Sequence, residues 1–277
     1  MAPVRRDTRG IVDATELFAH VDFRRVEPAE PLRRYVEQYW LIDWNLSEPY
    51  VSHVVPHPAV NIVFQRFPDQ EPFAEVAGVQ RGLFAQKLEG RGRVCGVKFR
   101  PGGFRPFAPE RAVTEWTGRR LRQPEVYPDT DPATILTPDD EAARVAALDA
   151  FLLTLGPHPD PQADLAMALV ERIGTDRTIR RVADLARTEG VSVRLLQRLF
   201  AGYVGVGPKW VILRHRIHQA LERAETEEAM DWAALAADLG YADQAHLVRD
   251  FTTTVGVPPT AYAANRRQAG ESHSQRQ

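Results

Sequence analysis

One cysteine and no long apolar run set the first limits on this 277-residue chain. Cys95 alone cannot close an internal disulfide, so a disulfide scaffold is excluded and a reducing, cytoplasmic setting is expected. No stretch approaches the ~20 consecutive apolar residues of a membrane helix, so neither a span nor a membrane partner is expected. The opening MAPVRRDTRGIVDATELF has basic residues but no apolar run behind them, which argues against a signal peptide. A Walker loop, a dinucleotide fingerprint and a nucleophile elbow are all missing. With them go the usual sequence warrants for an enzyme, and no cofactor is expected. Net charge is also small, at -2, and by itself advertises no polyanionic partner.

The charge is unevenly placed. Residues 177–218 hold nine basic residues against two acids, a net +7. Residues 219–250 hold two against eight, a net -6. A basic block inside a near-neutral chain is an electrostatic footprint for nucleic acid. Most charge runs are merely solvated helix faces, so the block needs a motif to support it.

Periodicity divides the chain. Residues 1–28 are polar and mixed, and read as a lead-in. PAEPLRRYVEQYW (28–40) carries Leu32, Val36 and Tyr39 at helical spacing, which predicts a short helix. WLIDW, VSHVV, VNIVFQ, FAEVAGV and RVCGVKFR are short, rich in β-branched and aromatic residues, and bounded by Pro, Gly and Asp. They predict strands. Pro124, Pro128, Pro132 and Pro138 mark an irregular connection. EAARVAALDAFLLTL (141–155) predicts a helix, GPHPDPQ (156–162) a linker, and the remainder reads as helical up to a polar, disordered tail at 268–277.

Two segments of the helical part follow one plan. A helix-turn-helix needs a small residue where its helices cross, a turn residue tolerant of positive φ, and a second helix with one apolar and one polar face. In RRVADLARTEGVSVRLLQRLFAGYVG (180–205), Ala186 is the crossing residue and Gly190 the turn, and Ser192 caps the second helix. Leu196, Leu199 and Phe200 face inward, leaving Arg194, Gln197 and Arg198 on the other side. Arg suits guanine edges and Gln suits adenine. In DWAALAADLGYADQAHLVRDFTTTVG (231–256), Ala236, Gly240 and Asp243 take the same roles. Leu247 and Phe251 face the core there, while Gln244, His246 and Arg249 are the reading candidates. One Ala-x-x-x-Gly match is commonplace, but two with capped amphipathic second helices are not. The helical pattern PKWVILRHRIHQALERAE (208–225) between them is long enough, at roughly 27 Å, to hold two reading helices about one DNA turn apart.

Residues 163–262 resemble the DNA-binding domain of the AraC/XylS family of transcription regulators. The most specific stretch is LGYADQAHLVRDFTTTVGVPPTAY (239–262), with Gly240, Tyr241, Asp243, Arg249, Phe251, Gly256, Pro258, Pro259 and Tyr262 in the family pattern. Leu247 and Ala263 are mild departures, standing where many members carry Phe and Arg. The resemblance implies an all-α domain of seven helices with two helix-turn-helix units. PHPAVNIVFQ, GRVCGVKFRPGGFRPF and VTEWTGRRL resemble a sensor-like domain often found upstream, usually β-rich and frequently cupin-like. Such domains commonly bind a small effector or dimerise. The expected protein is α+β: a β-rich sensor or dimerisation domain at 29–140, a helix and linker at 141–162, and the DNA-binding domain at 163–267. Its expected partners are promoter or operator DNA, RNA polymerase, a small-molecule effector of unknown identity, and a second copy of itself.

Bland readings stand beside these. The three candidates of the second unit sit in acidic surroundings and are weaker than those of the first. Lys209 and Arg214 read equally as surface residues or phosphate contacts, and Arg180 and Arg181 as a solvated face. His53 and His57 fall in a strand-like, Pro-containing segment, where their spacing is a poor argument for a metal, and none is expected. Trp40, Trp44 and Trp116 read as aromatic core before pocket lining. Cys95 alternates within an apolar run and reads as core rather than as the activated thiol of a repair enzyme fused to such a domain. A weakly specific nucleoid protein is a third reading of the same basic block.

Overall fold

Alternation of apolar and polar residues builds the N-terminal half into one antiparallel sheet in the computed structural model, which describes residues 10–226 and 230–264. Its strands are β1 (Val21–Val26), β2 (Val36–Val54), β3 (Asn61–Arg66), β4 (Phe73–Ala77), β5 (Phe84–Phe99) and β6 (Arg120–Arg122), in the order β1-β2-β5-β3-β4-β6. The long strands β2 and β5 pair along most of their length, with a register shift between Leu46 and Tyr50.

The two faces of the sheet have different fates. Tyr39, Leu41, Ile62, Phe64, Cys95, Val97 and Phe99 enter the main core. That core runs beneath α2 (Pro132–Leu136) and α3 (Glu141–Leu155) and continues without a break into α4 (Pro161–Thr175), α5 (Val182–Thr188), α6 (Val193–Tyr203) and the start of α7 (Pro208–Thr226). The opposite face carries Trp40, Ile42, Trp44, Val63 and Val94, and packs against Ile11, Ala14 and Leu17 beside and within α1 (Ala14–His20). A third cluster joins Ile217 and Leu221 of α7 to α8 (Trp232–Asp238), α9 (Gln244–Val255) and a helix α10 followed from residue 259 to 264. Val55 of the N-terminal half belongs to that cluster. The result is α+β: an antiparallel sheet domain followed by a helical domain in which, among the described residues, α4 to α10 make the expected seven helices.

Three sequence expectations change. The lead-in at 1–28 is not loose from residue 10 onward. Ile11, Ala14, Leu17 and Val21 are buried, and β1 pairs with β2 in register from Val21↔Trp44 to Val26↔Tyr39. Residues 1–9 lie outside the described residues, as does the tail at 268–277. The helix expected at 28–40 is only a 3-10 turn at Glu30–Leu32, followed by the start of β2. Leu32, Val36 and Tyr39 are all buried, so their spacing reports a core contact rather than a helical face. The Pro-rich connection also contains α2, whose Ile135 and Leu136 are anchored in the core.

At one end of the sheet the core holds charge. Asp43 accepts hydrogen bonds from Arg93 Nε at 2.6 Å and Arg144 Nη1 at 3.0 Å, and pairs with Arg24. Arg93 also donates to the Leu136 and Pro138 carbonyls, both at 2.9 Å. These bonds tie β2, β5, α3 and the α2–α3 connection together. Burial alone would raise the Asp43 carboxyl pKa, but the hydrogen bonds from Arg93, Arg144 and Arg24 outweigh it and hold it below the usual carboxylate value.

Candidate nucleic-acid interface and N-terminal cavity

Both candidate units close with the same backbone geometry. After α5, Gly190 has φ +64, its N–H donates to Arg187 O, and the Val191 N–H donates to Ala186 O at 3.0 Å. After α8, Gly240 has φ +75, its N–H donates to Ala237 O, and the Tyr241 N–H donates to Ala236 O at 2.9 Å. This paired arrangement ends a helix on a left-handed residue, which is why glycine stands at both places. The next helix then starts on a side-chain cap. Ser192 Oγ accepts from Leu195 N at 3.1 Å, and Asp243 Oδ1 from His246 N at 2.7 Å. Ala186 and Ala236 are buried, as the close crossing requires.

The apolar faces of α6 and α9 bury Leu196, Leu199 and Phe200 in the first unit and Leu247 and Phe251 in the second. Arg194, Gln197 and Arg198 are exposed together, as are Gln244 and Arg249. None of these five side chains makes a hydrogen bond or ion pair with another described residue, so each is open to an outside partner. His246 differs. It is half-buried, stands edge-on to Tyr241 at 5.1 Å, and has Nε2 3.7 Å from Asp250 Oδ2.

Two cations of the basic block serve the fold instead. Arg214 is buried, donates to Arg81 O at 2.8 Å and lies over the Trp210 ring. Burial pulls its pKa down to about 10. The surface or phosphate role read for it from sequence is therefore corrected: α7 packs on the N-terminal domain there. Arg216 donates to Arg180 O at 2.6 Å and lies over the Tyr241 ring, bracing the second turn. Lys209, Arg180 and Arg181 remain exposed.

The N-terminal domain contributes a cavity of about 240 Å³ on the α1 side of the sheet. Trp40 and Trp44 line it, whereas Trp116 is core. Of the two histidines weighed for metal binding, His53 is exposed and His57 lines the cavity. Among the described residues no group of three or more His, Cys, Asp or Glu is placed to hold a metal ion.

The cavity wall is also an interdomain contact. Pro56 and His57 line it, while His57 stacks on His218 of α7 at 3.9 Å with 8° between the rings. His218 Nε2 lies 3.4 Å from Pro56 O. Burial, with Arg214, His215 and Lys98 nearby, pulls His218 down to about 3 despite the Pro56 hydrogen bond. A histidine held below its unfolded value near 6.5 contributes stability above pH 6.5 and loses it as pH falls toward the folded value. Going from pH 7.5 to 5.5 should cost about 1.4 kcal/mol through this group. Melting at the two pH values, compared with His218→Gln, checks this. An equal acid shift in the variant would refute it.

Cys95 is buried, and desolvation pushes its thiol up to about 11 against the pull of Arg144. It should react with a thiol reagent at pH 8 far more slowly than a free cysteine, and at full rate after unfolding. Fast native labelling would return attention to a thiol chemistry.

Residues 185–265 match the family model described as "Helix-turn-helix domain". Residues 24–122 match "Domain of unknown function (DUF6597)". No curated protein matches the chain. Solved structures of ToxT from Vibrio cholerae are similar at low identity. An apo variant is 13% identical with TM-score 0.43, covering 81% of this chain and 96% of that one. A second crystal form is 12% identical with TM-score 0.42, covering 82% and 97%. An unsaturated fatty acid-bound form is 11% identical with TM-score 0.39, covering 88% and 94%. Among the described residues no helix is long and apolar enough to cross a membrane. The chain thus carries a C-terminal AraC-type helix-turn-helix domain, of the kind that serves DNA-binding transcription regulation, behind an N-terminal domain whose family has no assigned function.

Proposed function

We propose that the protein is a sequence-specific transcription regulator that reads operator DNA with α6 and α9, under control of its N-terminal domain. The observation that carries this is the doubled turn. Two helices of unlike surface charge are presented by the same glycine turn at 190/240 and the same side-chain cap at 192/243, each with exposed polar residues. Arg194, Gln197 and Arg198 are assigned to bases and phosphates of one half-site, Gln244 and Arg249 to the other, with His246 in a supporting place. At 19 residues α7 spans about 28 Å, which suits two reading helices about one duplex turn apart. Control by a small molecule is supported by the cavity, because Pro56 and His57 touch both the cavity and α7. A second copy of the chain and RNA polymerase complete the proposed partners, and the role assigned is regulation rather than catalysis.

The test is selection of bound duplexes from random DNA by the full chain. One recurrent bipartite site, with half-sites about 10 base pairs apart, is the expected result. Recovery of no consensus, with binding that collapses in moderate salt, would favour a weakly specific nucleoid protein instead.

A further inference from the structure

The proposed function takes the N-terminal cavity as an effector site, and on that reading the cavity walls specify the chemistry of the occupant. The cavity owes its existence to two glycines. Trp40 pairs with Gly96 and Trp44 with Gly92 across β2 and β5. A Cβ on Gly96 would stand 1.9 Å from the Trp40 ring, and one on Gly92 2.0 Å from the Trp44 ring. Both indoles therefore lie down on bare backbone instead of standing up to fill the hollow. Trp44 Nε1 donates to Glu89 O at 3.1 Å, and Trp40 Nε1 reaches Asn61 Oδ1 at 3.4 Å, which fixes the ring planes. The floor is then two flat π faces on either side of Ile42.

Of the three Lys and Arg side chains in the lining, two already hold a carboxylate and the third, Arg25, lies over the Phe23 ring. Lys98 Nζ is held by Glu37 at 2.9 Å, and Arg120 by Glu75 at 2.7 Å. An anionic ligand would have to displace these carboxylates, whereas an uncharged one leaves them intact. The unmet demand is for hydrogen bonds. Ser52 lines the cavity at 7% exposure, yet its hydroxyl has no hydrogen-bond partner among the described residues. The half-buried Gln38 amide is likewise unpartnered. A hydroxyl and an amide that face the cavity without a protein partner are free to hydrogen-bond the edge of a ligand. The volume of about 240 Å³ falls below the roughly 300–1,000 Å³ of drug-sized pockets, so the occupant is small.

We infer that the cavity takes a small, uncharged, planar aromatic molecule, stacked on Trp40 or Trp44 and hydrogen-bonded at its edge by Ser52. The experiment uses the full chain and reads tryptophan quenching and melting temperature. The probes are carbostyril, indole and quinoxaline as neutral planar molecules, naphthoate as a planar anion and decanoate as an aliphatic one. At least one neutral probe should quench saturably and raise the melting temperature, since a ligand of the native state stabilises it. Both anions should bind at least about tenfold more weakly. Ser52→Ala should weaken the best neutral probe by about tenfold. Lys98→Met should leave its affinity within about twofold. Gly96→Ala should abolish binding by lifting Trp40, and Trp40→Phe, which keeps a flat ring, covers the case in which that variant fails to fold. Saturable binding by no neutral probe, or tighter binding of an anion that is lost in Lys98→Met, would overturn the inference. Either result leaves DNA selection unaffected. A chain that binds carbostyril but selects no DNA would instead sink the functional reading.

Discussion

Asp43→Ala is expected to lower the stability of the chain by about 3 kcal/mol, or roughly 6–12 °C in melting temperature. The carboxylate is the ion-pair partner of Arg144, whose side chain is only 3% exposed. It also holds Arg93, which is 10% exposed. Removing one side of a buried pair costs about 3–5 kcal/mol because the other charge stays buried. Asp43 is itself a quarter exposed and Arg93 keeps Asp139 and two carbonyls, so the lower end of that range applies. Arg24→Ala should cost less, since it leaves Asp43 paired with Arg93 and Arg144. The pH dependence follows from the depressed carboxyl pKa. The Asp43 contribution is fully present above the unfolded value near 4 and disappears as pH falls through the lower folded value. That window lies below most of the His218 window, so an acid titration separates the two groups. Denaturant melts of Asp43→Ala and Arg24→Ala at pH 7 decide the matter. An Asp43→Ala midpoint equal to wild type would mean that Arg93 and Arg144 find water or other partners at no cost.

The helix-turn-helix units were legible because their determinants are local. Gly190 and Gly240, Ser192 and Asp243, Ala186 and Ala236 each act within a few residues of chain, and the periodicity of α6 and α9 places the polar faces. The strands were legible as strands for the same reason. What escaped was set by distant pairings. Asp43 meets Arg144 across about a hundred residues of chain, and neither has a neighbour that announces it. Ile11 and Leu17 sit in a stretch too polar to read as core until β1 is laid beside β2. Trp40 and Trp44 read as core because aromatic residues usually are. Only their register opposite Gly96 and Gly92 turns them into the floor of a cavity, and register is not visible in one strand. Arg214 read as a surface or phosphate-contacting cation because the cover on its face of α7, at Arg81, comes from the other domain. His57 and His218 are separated by the same kind of distance, and their contact belongs to the tertiary structure alone.

Arg198→Ala is expected to weaken specific DNA binding by at least about tenfold at moderate salt, and more than Arg249→Ala does. Phosphate neutralisation supplies much of the affinity of a DNA-binding protein. The first unit lies in a segment of net +7, the second in one of net -6. Burial of Arg214 and engagement of Arg216 remove two charges from the first segment's supply. Arg177, Arg181, Arg194, Arg198 and Lys209 of that segment still stand exposed, whereas the exposed Arg180 lies against Gly240 in the turn of the second unit. On α9 itself the exposed arginine is Arg249, with Asp243 capping the helix, and His246 is turned toward Asp250 and Tyr241. Glu227 and Glu228, counted in the acidic segment, lie outside the described residues. A good base contact is worth about 1–3 kcal/mol, so one lost arginine can account for a tenfold change or more in either unit. The difference between the units comes from what remains. After Arg198→Ala the second unit has few phosphate contacts with which to hold the complex, whereas after Arg249→Ala the first unit still anchors it. Arg249→Ala should therefore chiefly relax base preference in its own half-site. Both variants are to be titrated on one selected site at fixed salt, after their melting temperatures are matched to wild type. The salt slope should fall by about one for whichever arginine contacts phosphate. Greater loss in Arg249→Ala than in Arg198→Ala would overturn the charge argument and make the second unit the anchor.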